Sequence, residues 1–275
     1  NEVRMKNQVA LITGASSGIG EALALEFASR GADTAILARR VDRLEELKNK
    51  IEKGGTQALS LPADVTDKKS LEEAVHLTLA RWGRIDYVVA NAGYAVGGNF
   101  ENLDIEDYRR QFETNFFGAL HTASATLGAL KKTQGSICFI GSVNSWISVP
   151  SAGAYVSSKF ALRGFTESLY YEMIKYGVSV THISPGFVAT EIRTVDNHGR
   201  LNDKLKEDVP AWLMMPPQKA ARQIVRAIVK RCPEQIITGH GKLGVFLIRH
   251  FPWLVRSILR RMVSKLQWRS GENPR

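Results

Sequence analysis

Short apolar runs rich in β-branched residues alternate with helix-length amphipathic segments from Gln8 to about Thr238, with no internal repeat and no low-complexity linker. The runs at Gln8–Thr13, Thr34–Ala38, Gln57–Leu61, Tyr87–Asn91, Ser136–Gly141, Val178–Ile183 and Gln235–Thr238 are predicted strands. Most are apolar throughout, as in Val9-Ala10-Leu11-Ile12 and Tyr87-Val88-Val89-Ala90. That pattern fits strands covered by helices on both faces rather than a sheet with one wet side. Alternation of this kind predicts βαβ units, hence an α/β fold: one doubly wound parallel sheet of about seven strands in a single domain over residues 1–240. Ligands of such sheets gather beyond the carboxyl ends of the strands, where the strand order reverses.

The turn after the first strand reads Thr13-Gly14-Ala15-Ser16-Ser17-Gly18-Ile19-Gly20 and opens into a helical pattern through Ala22, Leu23, Leu25 and Phe27. Gly14 permits the tight turn, Gly18 lets the backbone approach a pyrophosphate, and Gly20 lets helix and strand pack closely, with the helix amino terminus facing the negative charge. Ser16, Ser17 and Ile19 complete this cofactor loop. A glycine-rich turn is often only a turn, and the spacing departs from the commoner G-x-G-x-x-G. Its place between the first strand and a helix makes it the dinucleotide loop of a Rossmann-type fold.

The second strand ends Ala35-Ile36-Leu37-Ala38-Arg39-Arg40. An NAD site usually carries an acidic residue there for the ribose 2'-hydroxyl. Ala38 leaves no carboxylate to repel a 2'-phosphate, and the planar guanidinium of Arg39 suits one. The expected cofactor is therefore NADP (NADPH/NADP+), with no metal. In the competing reading both arginines only solvate a loop, and Arg40 is the one expected to be a bystander.

The fifth strand leads into Gly141-Ser142, and 13 residues after that serine Tyr155-Val156-Ser157-Ser158-Lys159 heads a helical segment. A spacing of four puts Tyr155 and Lys159 on one helix face, where an ammonium stabilises a phenolate and lowers tyrosine's ordinary pKa of about 10. A tyrosine so tuned exchanges a proton with a substrate oxygen near neutral pH, and Ser142 can hydrogen-bond that oxygen as charge develops on it. Hydride transfer from a nicotinamide completes the interconversion of carbonyl and alcohol. Tyr and Lys at this spacing commonly form an ordinary surface pair. Their weight comes from occurring with the glycine loop and the serine in this order. The alternative function is a non-catalytic NADP-binding redox sensor or scaffold, against which the complete trio argues.

Together these residues resemble the short-chain dehydrogenase/reductase family, and its NADP-preferring branch, over roughly residues 5–240. TGASSGIG at 13–20 is similar to the family's cofactor loop, and Asp64-Val65 to its adenine-contacting pair. Asn91-Ala92-Gly93 resembles the motif that supports the central sheet, with Ala90 where many relatives carry another asparagine. The resemblance implies that Asn115, in Thr114-Asn115-Phe116-Phe117-Gly118, is the helix-kinking asparagine that holds a water linking Lys159 to solvent. It places Asn115 with Ser142, Tyr155 and Lys159 in the catalytic set. Pro185-Gly186-Phe187-Val188-Ala189-Thr190 is similar to the PG motif, whose Val188 and Thr190 would contact the nicotinamide carboxamide. Lys159 would also hydrogen-bond the nicotinamide ribose beside Tyr155. The NADP branch often carries a basic residue inside the glycine loop, where this chain has Ser17. Relatives often assemble through the helices carrying Asn115 and Tyr155, so a homodimer or homotetramer is expected.

Composition matters chiefly at the far end of the chain. A net charge of +10, spread evenly, would point to nucleic acid, but residues 222–275 hold 12 Lys/Arg against 2 Asp/Glu and so carry the whole excess. No nucleic-acid partner is expected. The two cysteines, Cys138 and Cys232, lack metal-ligand spacing and read as core residues of a reducing compartment. The polar stretch Asn1–Ala10 lacks the apolar run of a secretion signal, so a cytoplasmic protein is expected. His182 and His198 have no catalytic task. Apolar residues Val143, Trp146, Ile147, Phe187, Ile192, Val195 and Trp212 flank the expected cleft, with a lid over about 190–215, and fit a fatty, steroid, retinoid or sphingoid substrate. They could equally form core beneath the lid. Residues 241–275 read as a basic extension. From Pro252, Leu254, Val255, Ile258, Leu259, Met262, Val263 and Leu266 share one helix face, opposite Arg256, Ser257, Arg260, Ser264 and Gln267, with Trp253 and Trp268 toward the polar side. Such a helix over 252–269 either lies in a membrane interface or packs on a partner subunit or over the cleft. The run Leu243–Ile248 is too short to span a bilayer.

Overall fold

The computed structural model describes residues 3–193, 196, 197 and 209–265. Seven strands, β1 (Val9–Thr13), β2 (Asp33–Ala38), β3 (Ala58–Pro62), β4 (Tyr87–Ala90), β5 (Ser136–Ile140), β6 (Ser179–Ser184) and β7 (Glu234–Ile236), form one sheet in the order β3-β2-β1-β4-β5-β6-β7. Every pairing is parallel. Each strand lies within two residues of its predicted place.

The apolar strands are explained by two separate cores. Ile12, Val89, Cys138 and Ile183 face helices α1 (Gly18–Ser29), α2 (Val41–Lys53) and α7 (Pro217–Val229). Leu11, Val88, Phe139 and Val180 point the other way, to α3 (Lys68–Trp82), α5 (Gly118–Thr133) and α6 (Gly153–Met173). Neighbouring residues of one strand alternate between the faces, and both faces are dry, so no polar alternation is left to see.

Strand order reverses at the β1–β4 seam, where β2 and β3 lie to one side and β5 to β7 to the other. The carboxyl ends of β1 and β4 therefore splay open a crevice. Between α4 (Ile105–Phe112) and α5 the chain takes one π-helical turn, Glu113–Phe117, a distortion that re-aims side chains at many functional sites. After β7 come α8 (Gly239–His250) and α9 (Pro252–Lys265).

Candidate active site

The glycine loop sits at the seam. Gly14 (φ +64°) and Gly18 (φ +59°) occupy the left-handed region, which side chains rarely adopt. Space is short as well: a Cβ at Gly14 would fall 2.7 Å from the backbone Cα of Ala92, and one at Gly18 would sit 3.0 Å from Thr190 Cγ2, which would have to give way. A Cβ on Gly20 would overlap the Gly14 carbonyl. Ala15 is buried, and Ile19 packs against the core as α1 starts. Asn91 locks the loop from β4, its Nδ2 donating to the Thr13 and Gly14 carbonyls at 3.0 and 3.1 Å. Thr13, to which sequence reasoning gave no role, accepts the Asn91 and Ala92 N–H groups at its Oγ1 (3.1 and 3.2 Å). Ser17 caps α1 without a side-chain hydrogen bond to the helix, so that capping interaction does not compete with an anion for the first amides of α1. The loop fits a dinucleotide diphosphate on these grounds.

At the end of β2 the two arginines divide differently from the expectation. Arg39 is 65% exposed, its NH1 3.7 Å from Asp64 Oδ2. Arg40 turns back to the loop, donating to Ser16 Oγ (3.1 Å) and Ser17 Oγ (2.7 Å). A guanidinium thus stands beside Ser17, the place where the related branch carries its basic loop residue. Asp64 also accepts from the Thr66 N–H and hydroxyl at Oδ1 (3.0 and 2.8 Å), and the buried Val65 packs against Gly118.

Across the crevice, Lys159 lies 4% exposed on α6 and donates from Nζ to the Ile140 carbonyl at 2.8 Å. Burial pulls its ammonium down to about 8 from the ordinary lysine value. Tyr155, half-buried in the first turn of α6, stands with its ring centroid 5.7 Å from Nζ. Ser142 follows β5 by two residues, and its Oγ accepts the Asn144 N–H at 3.0 Å. The hydrogen bond to Ile140 therefore ties the lysine to the strand that presents the serine. Ala92 and Gly93 form the adjoining wall, where a Cβ on Gly93 would meet Asn115 Oδ1 at 3.0 Å and Lys159 Nζ at 3.8 Å.

The π-helical turn carries Asn115 inward, 1% exposed. Its Oδ1 accepts the Tyr94 N–H (3.1 Å) while Nδ2 donates to the Tyr94 carbonyl (3.0 Å) and Ser158 Oγ (3.3 Å). Gln111, one turn earlier and unnoticed in the sequence, does similar work: it accepts the Val96 N–H at 2.6 Å and donates to the Tyr94 carbonyl at 2.9 Å. Amide side chains four apart on a buried helix face were the available signal. Across the crevice, Asn197 exchanges hydrogen bonds with the Gly97 backbone, both at 3.0 Å.

The segment from Pro185 to Thr190 closes the site. The Pro185 carbonyl accepts the Val143 N–H at 2.8 Å, the buried Val188 bridges to Met215, and Thr190 covers Gly18. A Cβ on Gly186 would overlap Thr238 and His240. His240 Nε2 accepts the Phe187 N–H at 3.1 Å, and its ring stacks on Phe187 with centroids 5.1 Å apart. Helix α8 lies along the same wall: Gly241 abuts Val143, and Gly244 abuts Ile147. Trp146 is held between Arg163 (3.4 Å from ring centroid to Cζ) and Arg249 (4.1 Å), with Nε1 donating to Ser184 Oγ at 3.1 Å. Trp146 and Phe187, expected to line a cleft, thus also belong to its frame. Trp212 is 83% exposed. Val195, His198 and half of the expected lid lie outside the described residues. His182 is buried under the lysine face, where burial, then Lys159 and Arg163, pull its pKa down to about 3, so it is neutral at physiological pH.

Helix α9 packs on α8, half-burying Leu254, Val255 and Leu259 and exposing Trp253, Arg256, Ile258 and Arg260. Ile258 thus departs from the expected apolar face. The side chains of Met262, Val263 and Ser264, and all of Leu266, Gln267 and Trp268, lie outside the described residues. Among the described residues no helix is long and apolar enough to cross a membrane, and no group of three or more His, Cys, Asp or Glu could hold a metal ion.

Comparison with known proteins identifies the class as dehydrogenase/reductase. The model of a family described as short chain dehydrogenase matches residues 8–200. A fatty acyl-CoA reductase of Acinetobacter baylyi is 35% identical over 87% of this chain and 79% of its own length. The 11-beta-hydroxysteroid dehydrogenase 1A of Arabidopsis thaliana is 38% identical over 67% of this chain, which spans 53% of that protein. Among solved structures, an alcohol dehydrogenase of Thermococcus sibiricus complexed with 5-hydroxy-NADP is 31% identical, with a TM-score of 0.73 over 84% of this chain and 96% of that one. The chain belongs to the short-chain dehydrogenase family, and is an oxidoreductase of that class.

Proposed function

We propose that this protein is an NADP(H)-dependent oxidoreductase that interconverts a lipophilic ketone or aldehyde and its alcohol, with Tyr155, Lys159, Ser142 and Asn115 as its catalytic set. The observation that carries the reading is the burial of Lys159 against the Ile140 carbonyl, one helical turn from Tyr155 and at the end of the strand that leads into Ser142. A buried ammonium favours the phenolate form of its neighbour, so Tyr155 gives its proton to the carbonyl oxygen in reduction and takes one back in oxidation. Ser142 donates a hydrogen bond to the same oxygen and stabilises the charge that grows there. Asn115 holds the Tyr94 backbone and Ser158 in place around the lysine, and serves proton resupply. A bound nicotinamide cofactor supplies or accepts the hydride.

Gly14, Ser16, Ser17, Gly18, Ile19 and Gly20 would hold the diphosphate, Asp64 and Val65 the adenine, and Asn91, Ala92 and Gly93 the wall beside it. Pro185, Gly186, Val188 and Thr190 would hold the nicotinamide end, with Tyr155 and Lys159 on its ribose. Support for NADP over NAD comes from Ala38 at the end of β2 and from Arg39, Arg40 and Arg43 around it. The lipophilic substrate is supported by the names of the fatty acyl-CoA and hydroxysteroid relatives and by half-buried Val143, Ile147 and Ile192. For α8 and α9, exposed Leu243, Phe246, Trp253 and Ile258 among arginines favour a peripheral membrane contact. Assembly into a dimer or tetramer remains part of the proposal. The test of function is a screen of fatty, steroid, retinoid and sphingoid carbonyls for NADPH oxidation, with Tyr155→Phe as control. Tyr155-dependent turnover of at least one is expected; activity indifferent to Tyr155 would remove the proposed mechanism.

A further inference from the structure

Glu191 follows Thr190 directly, yet its carboxylate turns toward the end of β2. Arg40 NH1 donates to its Oε2 at 3.0 Å, and Arg43 NH1 to its Oε1 at 2.6 Å. The same Arg40 side chain reaches Ser16 and Ser17 in the glycine loop. One guanidinium is therefore shared between the loop suited to a phosphate and a carboxylate on the opposite wall. Burial alone would push the Glu191 carboxyl up; the hydrogen bonds from Arg43 and Arg40, then their charges, outweigh it and hold the group below the ordinary carboxylate range. It is an anion at neutral pH.

Carboxylate and phosphate use the same guanidinium N–H donors and repel one another at hydrogen-bonding range. Building on the NADP reading above, we propose that Glu191 is a resident counter-anion of Arg40 and Arg43 that the 2'-phosphate of NADP(H) must displace from Arg40. Glu191 then sets the affinity for the phosphorylated cofactor and leaves that for NAD(H) alone, since NAD(H) brings no anion to this position. Between cofactors the carboxylate relieves the repulsion of two neighbouring guanidinium groups. The three side chains are 39%, 39% and 32% exposed, so the exchange takes place in partly screened surroundings and its effect is moderate.

Dissociation constants for NADPH and NADH, measured by calorimetry on the full chain, test this in the unaltered protein, Glu191→Gln, Arg40→Gln and the double variant. Glu191→Gln is expected to tighten NADPH roughly 5- to 10-fold, leave NADH unchanged, and lose its effect in the Arg40→Gln background. Without cofactor the same variant should melt no higher than the unaltered protein, because it has lost two ion pairs. NADPH binding unchanged or weakened by Glu191→Gln would overturn the proposal, reducing Glu191 to a prop for the arginines. Equal tightening of both cofactors would overturn it as well. Equal binding of NADPH and NADH by the unaltered protein would remove the NADP reading itself, whereas a preference indifferent to Glu191→Gln removes this proposal alone.

Discussion

Two cationic groups flank the carboxyl edge of the sheet, and they are built in opposite ways. Lys159 is buried, its ammonium bonded to the Ile140 carbonyl and its affinity for a proton lowered to about 8 by the loss of water. The arginines after β2 are exposed or half-exposed and are matched by Asp64, Glu191 and two serine hydroxyls. A buried charge destabilises the fold and persists only where something requires it, while a screened one is nearly neutral to stability. In the proposed function the buried side carries the chemistry and the exposed side the choice of cofactor.

The largest effect is expected on the buried side. Tyr155→Phe keeps the ring and removes the proton, so kcat should fall about 10³-fold while the melting temperature stays put; losing one hydroxyl contact to the ribose should weaken NADPH and NADH alike, by about 10-fold at most. Lys159→Met sharpens the contrast further. It should also abolish most turnover, yet raise the melting temperature by about 3–6 °C, because removing a desolvated charge relieves about 1–2 kcal/mol at pH 7. The sign with pH follows from the lowered value. The penalty is complete below about 8 and disappears as pH rises toward the ordinary lysine range, so the variant's advantage should shrink over that window. Turnover that depends on the ammonium should decline through the same window in the unaltered protein.

On the exposed side the expected changes are smaller. Arg40→Ala should weaken NADPH binding about 10-fold, leave NADH binding unchanged, and shift stability by no more than about 0.5 kcal/mol. Smaller still is His240→Leu, which removes the acceptor of the Phe187 N–H and should lower stability by about 1 kcal/mol, seen as a fall of about 2–4 °C in melting temperature. A drop in kcat with Arg40→Ala matching that of Tyr155→Phe would erase the distinction between the two regions.

The sheet was legible because dry strands between amphipathic helices leave a pattern that needs no tertiary information, which β1, β2, β4, β5 and β6 follow, while β3 and β7 at the two edges are only partly buried. The glycine loop, Tyr155, Lys159 and Ser142 were legible because their order along the chain is distinctive. What escaped depended on side-chain direction or on distance in sequence. Arg39 and Arg40 are adjacent and alike in type, and only the path of the chain into α2 decides which one faces Ser17. His240 meets Phe187 across 53 residues, and Glu191 meets Arg40 across 151, with no periodicity to announce either contact. Asn115 was visible only through the family resemblance, because the π-helical turn that buries it leaves no mark in the pattern of apolar residues. The tail expected as a separate extension begins with α8, whose Gly241, Gly244 and His240 pack against the active-site walls.

The central claim is most directly tested by steady-state kinetics of Tyr155→Phe and Arg40→Ala side by side, on one accepted carbonyl, with NADPH and with NADH. Tyr155→Phe is expected to lose turnover with both cofactors while keeping the preference for NADPH, whereas Arg40→Ala keeps kcat and loses only that preference. Full turnover in Tyr155→Phe, or an intact NADPH preference in Arg40→Ala, would contradict it.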